Sequence, residues 1–229
     1  MKPEYESAKI KTSQLADKLN LNHHMIYGPT TKTYWEQKIK IVAVNLEPYG
    51  YEGHRRYEVT REILNEWMFN AGKSRTVRNT MAAIDVLING FYNRKSITDN
   101  DFKMAYSNTE SLIKTLDKIC YYNIRPVSNN IKNEANRGAL DYTSEITDSI
   151  ALELKLLNPD VYLVSGNKAT LALTKLLKIN PNSFINGVIN HENTVIISVK
   201  HFSRPSYNQL TTVISQALQE LIPIITNKS

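Results

Sequence analysis

Two hydrophobic rhythms alternate along the chain. Short branched apolar runs, centred on Ile41-Val-Ala-Val44, Ile119-Cys-Tyr-Tyr122, Val161-Tyr-Leu-Val164 and Val195-Ile-Ile197, have the length and composition of strands covered on both faces. Between them, apolar positions recur every three or four residues, clearest in Val77, Met81, Ile84, Ile88 and Phe91 and again in Ile146, Ile150, Leu154 and Leu157. Helices are expected over residues 13–21, from Thr60 as N-cap onward, over 76–92, once or twice within 98–118, and over 144–157, 170–178 and 207–222, the last stopped by Pro223. Strands separated by helices predict an α/β protein: a three-layer α/β/α sandwich with a central four-stranded parallel sheet.

The 229 residues suit one domain, 38–229, preceded by an extension, 1–37, that packs on it. No apolar run nears the ~18 residues of a membrane span, and the first residues carry no hydrophobic signal core. The expectation is a cytoplasmic monomer with no membrane partner. Cys120 is the single cysteine, so no internal disulfide can form. A formal charge of +6 and a pI near 9.2 suit a polyanionic partner.

Candidate chemistry gathers where strands end. The first strand runs into Glu47, Pro48, Tyr49 and Gly50, and proline biases the backbone before it toward an extended form, aiming the carboxylate. The second strand presents Asn123, and the fourth leads to His201 and Ser203. In a parallel sheet these emerge along one edge, where open α/β sheets bind ligands. The plainer alternatives are a surface carboxylate, a turn amide and a helix-capping imidazole. The polar stretch 127–138 reads equally as a phosphate-contacting or an ordinary solvated loop. Ala71-Gly-Lys-Ser74 lacks the earlier glycine and preceding strand of a P-loop. His23 and His24 have no carboxylate or cysteine cluster beside them, so a surface role is expected of them rather than metal binding. His54 and His191 suggest nothing.

Asn45-Leu-Glu-Pro-Tyr-Gly resembles the first motif of the uracil-DNA glycosylase superfamily, Gly-Gln-Asp-Pro-Tyr-His, and His201-Phe-Ser-Arg-Pro-Ser-Tyr resembles its second, His-Pro-Ser-Pro-Leu-Ser. Residues 158–169 are similar to the third-strand stretch of that superfamily, and 119–126 to the strand carrying its base-reading asparagine. The resemblance covers about residues 38–222, with the motifs in the family order. It implies a uracil-DNA glycosylase-like fold and a monofunctional DNA glycosylase, without metal or organic cofactor, that flips an abnormal pyrimidine out of DNA and leaves an abasic site. By the same resemblance Glu47 and His201 are catalytic, Asn123 reads the base, and Tyr49 guards the pocket against a 5-methyl group. Tyr51 or Tyr57 would stack on the base, Ser203, Arg204 and Pro205 would hold the DNA backbone and press into the minor groove, and Arg55, Arg56 and Arg204 would hold phosphates. Three departures stand out. Glu47 replaces the aspartate, adding ~1.5 Å of reach; Gly50 replaces the histidine, and Phe202 the first proline of the second motif. A bulky hypermodified cytosine of phage DNA, excised as a defence function, is therefore an alternative substrate. A non-catalytic binder of modified DNA and a small-molecule hydrolase or transferase are the competing function classes.

Overall fold

The structure is a computed structural model that describes residues 2–18, 25–26, 28–45, 57–58, 61–69, 74–124, 144–199, 202 and 206–228. Its centre is β3 (Ile41–Asn45), in which Ile41, Val42, Ala43 and Val44 are all at most 1% exposed. Successive side chains point to opposite faces of a sheet, so complete burial along the strand means that both faces are covered. The same holds for β5 (Ile119–Asn123) and β6 (Val161–Ser165). With β8 (Thr194–Val199), these strands pair in parallel in the order β5-β3-β6-β8.

The sheet is wider than expected and mixed. β2 (Gly28–Pro29) adds antiparallel to β5 at one edge, and β7 (Val188–His191) adds antiparallel to β8 at the other, giving six strands rather than four. Two residues are too few to carry a periodic signal, and β7 is only partly buried, as an edge strand is. A separate parallel pair joins β1 (Met25–Ile26) to β4 (Tyr57–Glu58).

The crossover from β3 to β5 contains α2 (Arg61–Phe69), α3 (Ser74–Asn93), α4 (Asp99–Ser107) and α5 (Thr109–Leu116). From β5 to β6 the chain passes through α6 (Ser144–Leu157), and from β6 toward β8 through α7 (Asn167–Leu177). The first crossover moves one way from β3 and the later ones move the other way. Right-handed connections then place α2–α5 on one face and α6 and α7 on the opposite face. The packing follows that division: α3 meets α2, α4, α5 and α8 (Tyr207–Asn227), while α1 (Pro3–Lys18) lies along α6, which also meets α7.

Three helices depart from the expected bounds, α7 by beginning at Asn167, directly after Gly166, rather than at 170. α1 runs from Pro3 rather than 13, buried on the core by Tyr5, Ala8, Ser13 and Ala16. α8 continues through Pro223 to Asn227, because Leu221, Ile224 and Ile225 bury on the core and offset the backbone hydrogen bond that a proline lacks. At the amino edge of the sheet Asp160 accepts from the Lys40 amide at 2.8 Å and from Lys228 Nζ at 2.8 Å, tying β3, β6 and the end of α8 together. No helix among the described residues is long and apolar enough to cross a membrane.

Candidate functional site

The order β5-β3-β6-β8 places the reversal of winding between β3 and β6, and open α/β sheets form a ligand crevice outside the carboxyl ends of strands at such a point. The strands end there in polar residues. Asn45 closes β3 and pairs with Asn123, which closes β5; the Ile124 amide donates to the Asn45 carbonyl at 3.0 Å, locking that register. Ser165 closes β6, one step beyond the Val44–Val164 pair, so it stands level with Asn45 on the other side. Asn123, Asn45 and Ser165 thus form a row across three neighbouring strands, 3%, 7% and 4% exposed.

The row has a definite face. Tyr122 donates its hydroxyl to Glu153 on α6, and Tyr162 donates to the Leu154 carbonyl on the same helix. Position 123, one residue on from Tyr122, and position 165, three on from Tyr162, therefore face the other way, toward the α3 layer, and Asn45 shares their side by register. From that layer Asn79, itself 7% exposed, donates its Nδ2 to the Phe202 carbonyl at 2.7 Å. The Phe202 amide donates to Ser165 Oγ at 3.4 Å, and its side chain is fully buried. Phe202 is in this way fastened through both its amide and its carbonyl, to the end of β6 and to α3. Gly166, at a φ of 91° that favours glycine, turns β6 into α7 and donates its amide to the Val199 carbonyl at 2.9 Å.

Within the row, hydrogen bonding is incomplete. Asn45 Nδ2 and Asn123 Oδ1 are buried and have no partner among the described residues. Buried side-chain polar atoms are nearly always bonded, and an idle one invites a functional explanation.

Of the residues singled out by sequence, Asn123 lies where the strand reading put it, at the end of β5. Glu47, Tyr49, Tyr51, Arg55, Arg56, His201, Ser203, Arg204 and Pro205 lie outside the described residues, as do Thr60, the 127–138 loop, His23 and His24. In sequence, Glu47 follows Asn45 by two positions, and His201 directly precedes Phe202. Tyr57 belongs to β4. Four members of the site were not anticipated: Asn45, Ser165, Asn79 and Phe202. A strand-final amide or hydroxyl is a weak signal until strand order shows which of them are neighbours. Asn79, a polar residue buried within an apolar helix, was the more readable one.

A second polar cluster lies on the opposite face. Glu153 is 4% exposed and accepts from Thr12 of α1 and, at 3.1 Å, from Tyr122. Burial pushes its carboxyl up to about 7, against the lowering effect of those two bonds and of Lys9. Cys120, buried nearby, has its thiol pushed up by the same desolvation, which makes it unreactive. Among the described residues no group of three histidine, cysteine or acidic side chains could hold a metal. Comparison of this chain with protein-family models, with curated proteins and with solved structures finds no match.

Proposed function

We propose that this chain is a monofunctional DNA glycosylase, a divergent member of the uracil-DNA glycosylase superfamily, that excises uracil or a modified pyrimidine. The observation that carries the reading is the buried polar row at the carboxyl edge of the parallel strands. Glu47 lies two residues beyond its central member, and His201 is one residue before the fastened Phe202. Four motif resemblances fall on the ends of these same strands.

In this reading a nucleotide is flipped from DNA, at a cost of a few kcal/mol that damaged or mispaired bases reduce. Asn123, whose Oδ1 has no partner among the described residues, accepts from a ring N–H of the base. The C1′–N1 bond breaks with its electron pair leaving on the base. His201 hydrogen-bonds the base carbonyl where the negative charge collects, and Glu47 stabilises the positive sugar and orients water. Water then supplies hydroxide to C1′ and a proton to the departing base, leaving an abasic site. Arg55, Arg56 and Arg204 contact phosphates, with Ser203 and Pro205 against the strand. No metal or organic cofactor enters the reaction, and the protein works as a cytoplasmic monomer.

Gly50, which replaces a histidine of the family motif, favours a second reading: a pocket with room for a bulky hypermodified cytosine, removed from phage DNA as a defence. One assay tests both. DNAs carrying uracil, mismatches or hypermodified cytosines are incubated with the protein and scored for abasic sites; product from one substrate class identifies the base. The absence of product from all of them refutes the glycosylase. DNA binding retained without product would identify a binder of modified DNA, and the absence of salt-dependent DNA affinity would favour a small-molecule enzyme.

A further inference from the structure

Asn45 and Asn123 are direct register partners on adjacent parallel strands, so their amides leave the sheet on one face, about 5 Å apart. One holds an idle donor, Asn45 Nδ2, and the other an idle acceptor, Asn123 Oδ1. Neighbouring amides in register ordinarily satisfy each other, as in the asparagine ladders of stacked strands. Here both are more than nine-tenths buried and neither of these atoms is bonded within the described residues. Leaving such groups idle is costly, because each has given up water without a replacement. Their unmet needs are complementary: a planar ligand that offers an acceptor toward Asn45 and a donor toward Asn123 satisfies both at once.

We propose that Asn45 is a specificity-determining residue, which together with Asn123 selects a nucleobase by an acceptor-beside-donor edge. The inference rests on the reading of this edge as a base-binding cleft. Two chemistries present such an edge. A lactam, as in uracil, places a carbonyl oxygen beside a ring N–H; an amidine, as in cytosine, places a bare ring nitrogen beside an exocyclic amino group. The two bases carry that edge in opposite order, since ring position 3 is the donor in uracil and the acceptor in cytosine, so a ring held in one orientation by its sugar matches the pair in only one of them, and Asn45 donates to the acceptor of that one. The near-isosteric Asn45→Asp substitution replaces that donor with an acceptor and repels the preferred base. A site built to hydrogen-bond a group discriminates strongly when the match is broken.

The test is calorimetric titration of the intact chain with 2′-deoxyuridine and with 2′-deoxycytidine, whose sugar fixes the edge presented to the cleft, using wild type, Asn45→Asp and Asn45→Ala. Wild type is expected to bind one base at least tenfold more tightly than the other. Asn45→Ala should narrow that ratio severalfold, and Asn45→Asp should abolish or reverse it. A structural role would lower both affinities together and leave the ratio unchanged. Near-UV circular dichroism verifies the fold, and if the aspartate variant does not fold the alanine variant decides alone. An unchanged ratio, or binding of neither base by wild type, overturns the proposal. The abasic-site assay separates this failure from that of the function. Excision indifferent to Asn45 refutes only the role of Asn45, whereas an Asn45-dependent base preference without excision refutes only the glycosylase.

Discussion

Removing the charge from Glu153 should make the protein more stable at neutral and alkaline pH. Glu153 sits under α1, 4% exposed, with Thr12 and Tyr122 donating to its two oxygens and Thr12 also 2.7 Å from Ser149. Its carboxyl lies at about 7 when folded, against an ordinary 4.5, with burial as the leading cause. A raised carboxyl means that the folded state keeps its proton over a range where the unfolded chain has released it. Stability therefore falls as pH rises from about 4.5 to about 7, and levels off above. At 1.36 kcal/mol per unit, the loss is roughly 3 kcal/mol. Glu153→Gln keeps an acceptor for Thr12 and supplies an N–H to the Tyr122 hydroxyl without ever ionising. Urea unfolding of both proteins at pH 5, 6, 7 and 8, followed by circular dichroism, measures the difference directly; effects common to both, such as the lowered Asp101 carboxyl, cancel. At pH 8 the variant should unfold at a midpoint higher by ~1 M or more, for a urea slope of about 2–3 kcal/mol per M. The gap should close toward pH 5. Parallel stability profiles, within about 0.5 kcal/mol across the range, would show that Glu153 ionises without penalty and that the argument from burial is wrong.

Further outcomes follow from the site and the sheet. Glu47→Gln should lower excision at least ~100-fold, the scale of a lost transition-state electrostatic contact, while DNA affinity measured by fluorescence anisotropy stays within a few fold. Asn79→Ala removes the donor to the Phe202 carbonyl and should cost about 1–3 kcal/mol in urea unfolding; excision should fall as well, since the residue after His201 loses its tie to α3. Asp160→Ala strips the acceptor from the Lys40 amide and should cost about 2 kcal/mol. Asp160→Asn, which keeps that bond and loses mainly the pairing with half-exposed Lys228, should cost under ~1 kcal/mol. Equal losses in the two Asp160 variants would transfer the stabilisation to the lysine. DNA affinity should drop steeply as salt is raised from 50 to 200 mM, with a slope that becomes shallower in Arg55→Ala and Arg56→Ala.

Burial on both faces marks a parallel strand in its composition alone, which is why β3, β5, β6 and β8 were legible from their branched residues, and α3 and α6 from their apolar stripes. Asn123 was legible for the same reason, as the polar residue that ends such a run. The edge strands β2 and β7 were not, because their pairing is backbone hydrogen bonding that leaves little trace in side-chain type. Nor was the reach of α8 past Pro223, where tertiary burial outweighs a local helix breaker. Above all, the partnership of Asn45 with Asn123 and Ser165 existed nowhere in the linear chain. Residues 45, 123 and 165 become neighbours only because strand order and register bring three strand ends level on one face, and those are set by how the helices pack over the sheet, not by any run of neighbouring residues.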